Sequence, residues 1–266
     1  MNSIKKSVRH YLLLLILSVS VCNNIEASEK NREFYFSSFD YSDLDSVLNK
    51  FVENGMVNYA GIRDENALDN YVNTVGDFDP YAIADDTERL TFWINAYNAF
   101  TIKLITDYYP VKSIMDIEKK AGENPWSIEF IKIGDKYYSL DEIEKKIIIP
   151  EFGECRIHYA LVCAAISCPP LRSEAYLPEK LIAQLDEQAQ LFINDKTKNF
   201  LNRKSNTMNL SMIYKWYSSD FKDCSGSIIK HVSEFINEDD KEFIKKKKTS
   251  NLNYLKYSWK LNDWKQ

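Results

Sequence analysis

His158, one of three histidines in the chain, stands five residues before Cys163 and ten before Cys168. The stretch that holds them reads Arg156-Ile157-His158-Tyr159-Ala160-Leu161-Val162-Cys163-Ala164-Ala165-Ile166-Ser167-Cys168-Pro169-Pro170-Leu171. Imidazole and thiol are the side chains whose ordinary proton chemistry lies nearest neutral pH. Together they can make a thiolate nucleophile, a metal site or a redox couple.

Local geometry separates the two cysteines. If residues 157–163 form a strand, His158 and Cys163 point to opposite faces. If they form a helix, five residues turn through about 140° and the two part again. A reversal after Ala164 is what brings a sulfur back to the imidazole. Cys168 and Pro169 each precede a proline, which pushes both out of the helical region. Cys168 is therefore held in an extended, conformationally poor segment that presents it at fixed geometry. The chemistry implied is attack by Cys168, with His158 as its base or ion-pair partner. Such a pair needs an amide or carboxylate to orient the ring, and Asn95, Asn98, Glu88 and Asp220 are available.

Other readings stand beside this one. A half-buried histidine bonded to backbone is the commoner case, and buried cysteines often act as small hydrophobes. Cys163 and Cys168 can instead form a local disulfide, structural or redox-active. Zinc is disfavoured, because one histidine and two cysteines leave it short of a ligand and no Cys-x2-Cys pair occurs. There is no Gly-rich phosphate loop, His-Glu-x-x-His helix or Gly-x-Ser-x-Gly elbow, and only seven glycines in all. Neither a cofactor nor a metal is expected.

The elements that must position these residues are mostly helical. Residues 87–108 carry apolar side chains all round, with no glycine or proline inside and Pro110 just beyond, so they predict a central buried helix. Asn95 and Asn98 sit on one stripe of it, and buried amides must find partners. Helices are also predicted over 43–52 (stopped by Gly55), 62–75, 141–149, 178–193, 225–236 and 239–247. Residues 130–139 read as a β-hairpin turning at Gly134-Asp135. Phe200-Leu201 can pair with Met208-Asn209-Leu210, and 254–261 alternates aromatic and polar as a strand does. One α+β domain results, predominantly helical, with small antiparallel sheets or hairpins.

Composition agrees with a globular chain: 266 residues, 45% hydrophobic and 27% charged. A net charge of −5, with both signs mixed, lacks the basic footprint of a nucleic-acid binder. Lys5, Lys6 and Arg9 followed by apolar residues 12–21 read as a signal peptide over 1–27, cut after Ala27, with the globular domain at 28–266. A lipid on Cys22 is the alternative, and the one membrane attachment expected; Val21 before it weighs against that cleavage. The expected location is outside the cytoplasm, periplasmic or at the cell surface. In an oxidising compartment the four later cysteines suggest disulfides. Cys155 with Cys224 is the favoured pair, since it leaves the thiols nearest His158 free.

Five motifs occur in order: Phe92-Trp93-Ile94-Asn95-Ala96-Tyr97-Asn98-Ala99, Tyr109-Pro110-Val111-Lys112-Ser113-Ile114, Leu140-Asp141-Glu142-Ile143-Glu144, the His158 to Leu171 stretch, and Ile213-Tyr214-Lys215-Trp216-Tyr217 with Asp220-Phe221. In this series, from about residue 88 to 221, the chain resembles the family named domain of unknown function 547. The resemblance points at His158, Cys168, Asn95, Asn98, Glu144 and Asp220. It implies a catalytic-type domain without an established activity. Many relatives carry a histidine directly after the glutamate of the Leu-Asp-Glu-Ile-Glu motif, where this chain has Lys145.

The expectation is a cysteine-dependent hydrolase or acyltransferase acting on a peptide, amide or ester. Cys168 attacks the carbonyl, His158 manages the proton, and Asn95 or Asn98 orients the ring or the oxyanion. The rivals are a non-catalytic ligand-binding domain and a thiol-disulfide protein using Cys163 and Cys168.

Overall fold

The computed structural model describes residues 39–264, an α+β unit that is mostly helical with small sheets. The leader expected at 1–27 and the alternative anchor Cys22 lie outside these residues. Leu44, Val47, Leu48 and Phe51 share one stripe, and burying it forms α1 (Ser42–Phe51). A hairpin follows, β1 (Val52–Glu53) and β2 (Met56–Val57), around Asn54-Gly55 with φ of 51° and 77°. Gly55 is thus a hairpin corner rather than a helix stop, and two successive left-handed residues suit a two-residue turn. A Cβ there would meet Pro170 Cβ at 2.6 Å, so the corner packs directly on the proline pair beside Cys168.

The helix expected over 62–75 is two helices, α2 (Tyr59–Asp64) and α3 (Asp69–Gly76), broken near Asn66 at φ 49°. Both bury their apolar faces, so the apolar spacing carries across the break. Next comes the central helix α4 (Asp86–Tyr108), whose first turn is capped by Asp85 Oδ1 accepting the Glu88 N–H at 2.8 Å. Phe92, Trp93, Ile94, Ala96, Ala99 and Ile105 are all fully buried, so other elements enclose it. A short α5 (Asp116–Ala121) follows.

β3 (Ile131–Ile133) and β4 (Lys136–Tyr138) pair antiparallel about Gly134-Asp135, as the sequence predicts. The helix expected over 141–149 is composite. An α-turn (Leu140–Glu142) with a Ser139/Glu142 capping box opens it, a π-turn (Ile143–Ile148) continues it, and a second α-turn (Ile149–Phe152) closes it; together they are α6. Then come the four-residue α7 (Ile157–Ala160) and α8 (Leu181–Asn194), which buries Leu181, Leu185, Gln188 and Phe192.

β5 (Phe200–Asn202) pairs antiparallel with β6 (Thr207–Leu210), and β6 pairs in parallel with β7 (Asn251–Tyr254). The β5–β6 pairing is the one expected from the sequence, and the parallel partner β7 makes the sheet mixed. The chain returns to β6 through α9 (Ile213–Trp216), α10 (Ser218–Ser225), α11 (Ile228–Phe235) and α12 (Glu238–Lys247), the long crossover that parallel pairing requires. The late strand expected at 254–261 ends as a ladder at Tyr254. Beyond it the chain runs on as an extended strap. Its backbone bonds go to several partners: Leu255 N–H to Leu210 O at 2.8 Å, Leu261 N–H to Lys112 O at 2.8 Å, and Ile166 N–H to Lys260 O at 2.9 Å. Alternation persists, with Tyr257, Trp259 and Leu261 turned inward and Lys256, Ser258 and Lys260 exposed.

Buried side chains form two clusters, one around α4 and one holding Tyr159, Phe192, Tyr214, Phe221 and Val232. His231 packs with the second cluster at 1% exposure. Its Nδ1 lies 3.1 Å from Ser225 Oγ and 3.8 Å from Cys155 Sγ, while Nε2 is buried with no hydrogen-bond partner among the described residues. Burial pushes its pKa down to about 4; Glu154 pulls the other way, and electrostatic repulsion from the His158 and Arg156 side lowers it further. The unfolded chain titrates near 6.5. Between those values the unfolded state binds more protons, so the stabilisation is complete above pH 6.5 and is lost as pH falls. Urea unfolding should show stability dropping by on the order of 3 kcal/mol between pH 6.5 and 4. His231→Phe should remove most of that slope, and an unaltered slope in the variant would assign it to other groups.

A candidate cysteine–histidine site

Two asparagines of α4 set the frame. Asn98 Nδ2 donates to Ala160 O at 2.9 Å, and its Oδ1 accepts the Val162 N–H at 3.0 Å. Asn95 Nδ2 donates to Tyr176 O at 2.8 Å, and its Oδ1 accepts the Tyr176 N–H at 3.0 Å. The segment between these two clamps contains Cys163, Cys168 and the proline pair. Neither asparagine lines the cavity described below. The sequence assigned them to the ring or the oxyanion; their amides are instead taken up by backbone, which makes them positioning residues.

Between the clamps the chain reverses. Leu161 turns extended at the end of α7, and Ala164 adopts φ 55°. The strap holds the reversed segment, with Asn262 N–H on Ala164 O at 3.2 Å and Ser258 N–H on Ser167 Oγ at 2.8 Å. Cys168 Sγ then accepts the Cys163 N–H at 3.0 Å. Cys163 Sγ lies 3.0 Å from the Tyr257 hydroxyl, and Lys198 Nζ donates to Cys168 O at 2.8 Å. Burial opposes a thiolate at Cys168. Hydrogen bonds from the Cys163 side chain and backbone, the Tyr257 hydroxyl and the Lys198 charge outweigh it and hold the thiol below its ordinary range. Cys163 moves the other way: burial, then the bond and charge of Cys168, push its thiol up. The two cysteines are thus chemically distinct in the fold.

His158 Nε2 lies 2.8 Å from Asp220 Oδ2, with the imidazole buried and the carboxylate partly exposed. The histidine hydrogen bond is the main cause that holds Asp220 below the usual carboxylate range. Facing a carboxylate, Nε2 carries the proton, an assignment made from the hydrogen bonding. Nδ1 has no hydrogen-bond partner among the described residues. The ring stacks on Tyr217 at 3.9 Å between centroids and 23° between planes. No hydrogen bond joins His158 to Cys168 among the described residues. Both line one cavity of about 180 Å³.

Glu144, in the π-turn of α6, faces the same cavity and is 5% exposed. Its Oε1 accepts the Tyr217 hydroxyl at 2.5 Å and its Oε2 the Tyr97 hydroxyl at 3.0 Å. Burial and then the Glu144 charge drive both tyrosines far above their ordinary pKa, so both remain donors. Lys145 also lines the cavity, with Nζ 2.7 Å from Asp141 Oδ1. Trp126, Trp216, Tyr257 and Trp259 wall the opening. The sequence did not single out Trp126, Tyr257 or Trp259. The alternation at 254–261 puts Tyr257 and Trp259 on one face, but nothing local says that this face covers the cysteine segment. Among the described residues no group of three or more His, Cys, Asp and Glu side chains is gathered as a metal would require.

A disulfide joins Cys155 and Cys224, the favoured pair, with Cα atoms 6.4 Å apart. Cys155 stands three residues before His158 and Cys224 four after Asp220. The bond therefore ties together the two short helices that carry the imidazole–carboxylate pair.

Residues 82–193 match the family model described as "Protein of unknown function, DUF547". The chain resembles that family. The DUF547 match contains Asn95, Asn98, Glu144, His158, Cys163 and Cys168 and stops short of Tyr217, Asp220 and Tyr257. No curated protein and no solved structure matches the chain.

Asn98→Ala leaves Ala160 O and Val162 N–H without partners. At about 1–3 kcal/mol for each unpaired buried group, urea unfolding should register a loss on the order of 2–6 kcal/mol. Replacing Cys155 and Cys224 with serine opens a loop with a sequence separation of 69 residues. Chain entropy then predicts a loss of about 4 kcal/mol. Amides that exchange by global unfolding should speed up throughout the unit, with extra local opening in residues 155–160 and 218–225; those two segments behaving like the rest would argue against a local staple.

Proposed function

We propose that this protein is an exported cysteine-dependent hydrolase or acyltransferase, with Cys168 as nucleophile and His158 as the proton-handling group. The observation that carries the reading is the environment of the Cys168 sulfur. It accepts a backbone N–H at 3.0 Å and opens on the cavity that His158 also lines. A sulfur with fixed donors around it is a better nucleophile near neutral pH than an ordinary buried thiol. The thiolate attacks an ester, amide or peptide carbonyl to give a tetrahedral intermediate, which collapses to a thioester as the leaving group departs. His158, held on Asp220 through Nε2–H, takes the Cys168 thiol proton on Nδ1 and passes it to the leaving group; it then takes a proton from the water or amine that attacks the thioester and returns it to the departing Cys168 sulfur. The Tyr257 hydroxyl is the side-chain donor nearest the sulfurs and suits the developing oxyanion.

One observation favours a second reading, thiol–disulfide exchange. Cys163 and Cys168 interact directly enough that each displaces the other's pKa.

Alkylation by iodoacetamide, followed residue by residue with mass spectrometry across pH 5–10, separates the two. The nucleophile reading expects Cys168 to react with a midpoint below about 8.5, the ordinary thiol value, and Cys163 to lag. In Asp220→Asn the Cys168 profile should persist while turnover of an activated ester falls. A Cys168 midpoint at or above that of Cys163 would sink the reading. Recovery of a Cys163–Cys168 bridge from the native protein would favour exchange.

A further inference from the structure

The cavity beside Cys168 has an unusual charge arrangement. Among the described residues, the Asp, Glu, Lys and Arg side chains on its lining are Asp141, Glu144 and Lys145. Lys145 is already paired with Asp141 at 2.7 Å. Glu144 has no lysine, arginine or histidine within ion-pair reach among the described residues. Two tyrosine hydroxyls, one on each oxygen, are the pattern of an acceptor-only carboxylate. A buried carboxylate of that kind is stabilised by hydrogen bonds but not neutralised, and burying net charge is costly unless a counter-charge arrives. Lys198 meets the backbone carbonyl of Cys168 and does not line the cavity.

The walls favour the same kind of guest. Trp259 stands at the centre of an aromatic group, its ring centroid 4.6 Å from Tyr257, 5.6 Å from Trp126 and 5.7 Å from Trp216. Trp216 is 45% exposed, which an apolar ring bears most readily where a ligand covers it. Aromatic faces attract cations and repel anions through their quadrupole. The cavity volume, about 180 Å³, compares with an engineered apolar cavity of about 150 Å³ that admits benzene. A short alkyl chain fits.

We infer that this cavity receives the primary ammonium end of a substrate, an alkylammonium group seated on the Glu144 carboxylate within the aromatic wall of Trp126, Trp216, Tyr257 and Trp259. The inference names the substrate's chemistry for the acyl-transfer reading. It rests on that reading only in calling the bound group a substrate, because binding itself is measured without turnover.

The test titrates the full exported chain with butylammonium chloride, 1-butanol and sodium butyrate at constant ionic strength, reading tryptophan fluorescence. Butylammonium should bind saturably and at least tenfold more tightly than the neutral and anionic analogues. Glu144→Gln, which keeps the size and loses the charge, should abolish that preference. Equal or tighter binding of butanol or butyrate to the native protein would overturn the inference, as would the absence of saturable binding by butylammonium. So would a folded Glu144→Gln variant that keeps the preference. The native series decides the matter even if the variant does not fold. Normal Cys168 alkylation with no cation preference would fail this inference alone; cation preference with an inert Cys168 would fail the nucleophile reading alone.

Discussion

The side-chain amide of Asn98 is the contact on which the site depends. Helix α7 has four residues, far too few to be stable by itself. Its end leaves Ala160 O and Val162 N–H to be satisfied, an acceptor and a donor two residues apart. A carboxamide supplies one donor and one acceptor at matching separation. Aspartate lacks the donor, and leucine lacks both. Because Asn98 projects from a buried helix of 23 residues, the rigidity of a long helix passes to a four-residue one. His158 hangs on one side of this clamp and Cys163 on the other. Asn95 repeats the device one turn earlier at Tyr176, so the cysteine segment is held at both ends by neighbouring turns of α4.

Some of this is legible in the sequence and some is not, for identifiable reasons. Helix α4 stands out because an uninterrupted apolar run without glycine or proline has few alternatives. Two buried amides on one stripe announce that something polar must meet them, but not what. Here it is main chain, which no residue pattern encodes. Residues 157–163 fit a strand or a helix equally; a helical turn followed by an extended exit is an outcome set by the Asn98 clamp. The break at Asn66 is hidden because both flanking helices use the same core. Gly55 reads equally as helix stop and hairpin corner, and close packing on Pro170 is what makes the corner's backbone, without a side chain, fit. The disulfide partner of Cys155 follows from leaving Cys163 and Cys168 free. The three-dimensional consequence, a staple across the His158–Asp220 pair, needs the fold.

Electrostatics explains why the remaining parts are where they are. The site places an imidazole, a carboxylate and two thiols in largely buried surroundings, each of which is costly without partners. His158 has Asp220, Glu144 has two tyrosines, Cys168 has a backbone N–H, and Cys163 has the Tyr257 hydroxyl. Donors outnumber cations in this set, so these groups are held chiefly by hydrogen bonds. A cavity left open beside them is the natural consequence: sealing it with apolar side chains would strip away the solvent or guest that completes their solvation.

Several of the partners come from beyond the segment that matches the DUF547 model. Residues 82–193 bring Glu144, His158 and Cys168. Asp220 and Tyr217 come from α10 and the turn before it, and Tyr257 and Trp259 from the C-terminal strap. The strap's extended but irregular path follows from this task. A strand in a continuous ladder offers its backbone groups to one neighbour, whereas the strap divides its bonds among β6, the cysteine segment, Lys112 and β2. Dividing them ties four separate parts of the fold to one peptide, and alternation turns Tyr257, Trp259 and Leu261 toward the interior in sequence. Removing the strap would therefore take away the thiol's hydroxyl partner, part of the aromatic wall and the bonds that hold the reversed segment, all in one step. The matched segment carries the reactive side chains and some of their partners, and the C-terminal third of this chain supplies much of the remaining environment that sets their chemistry.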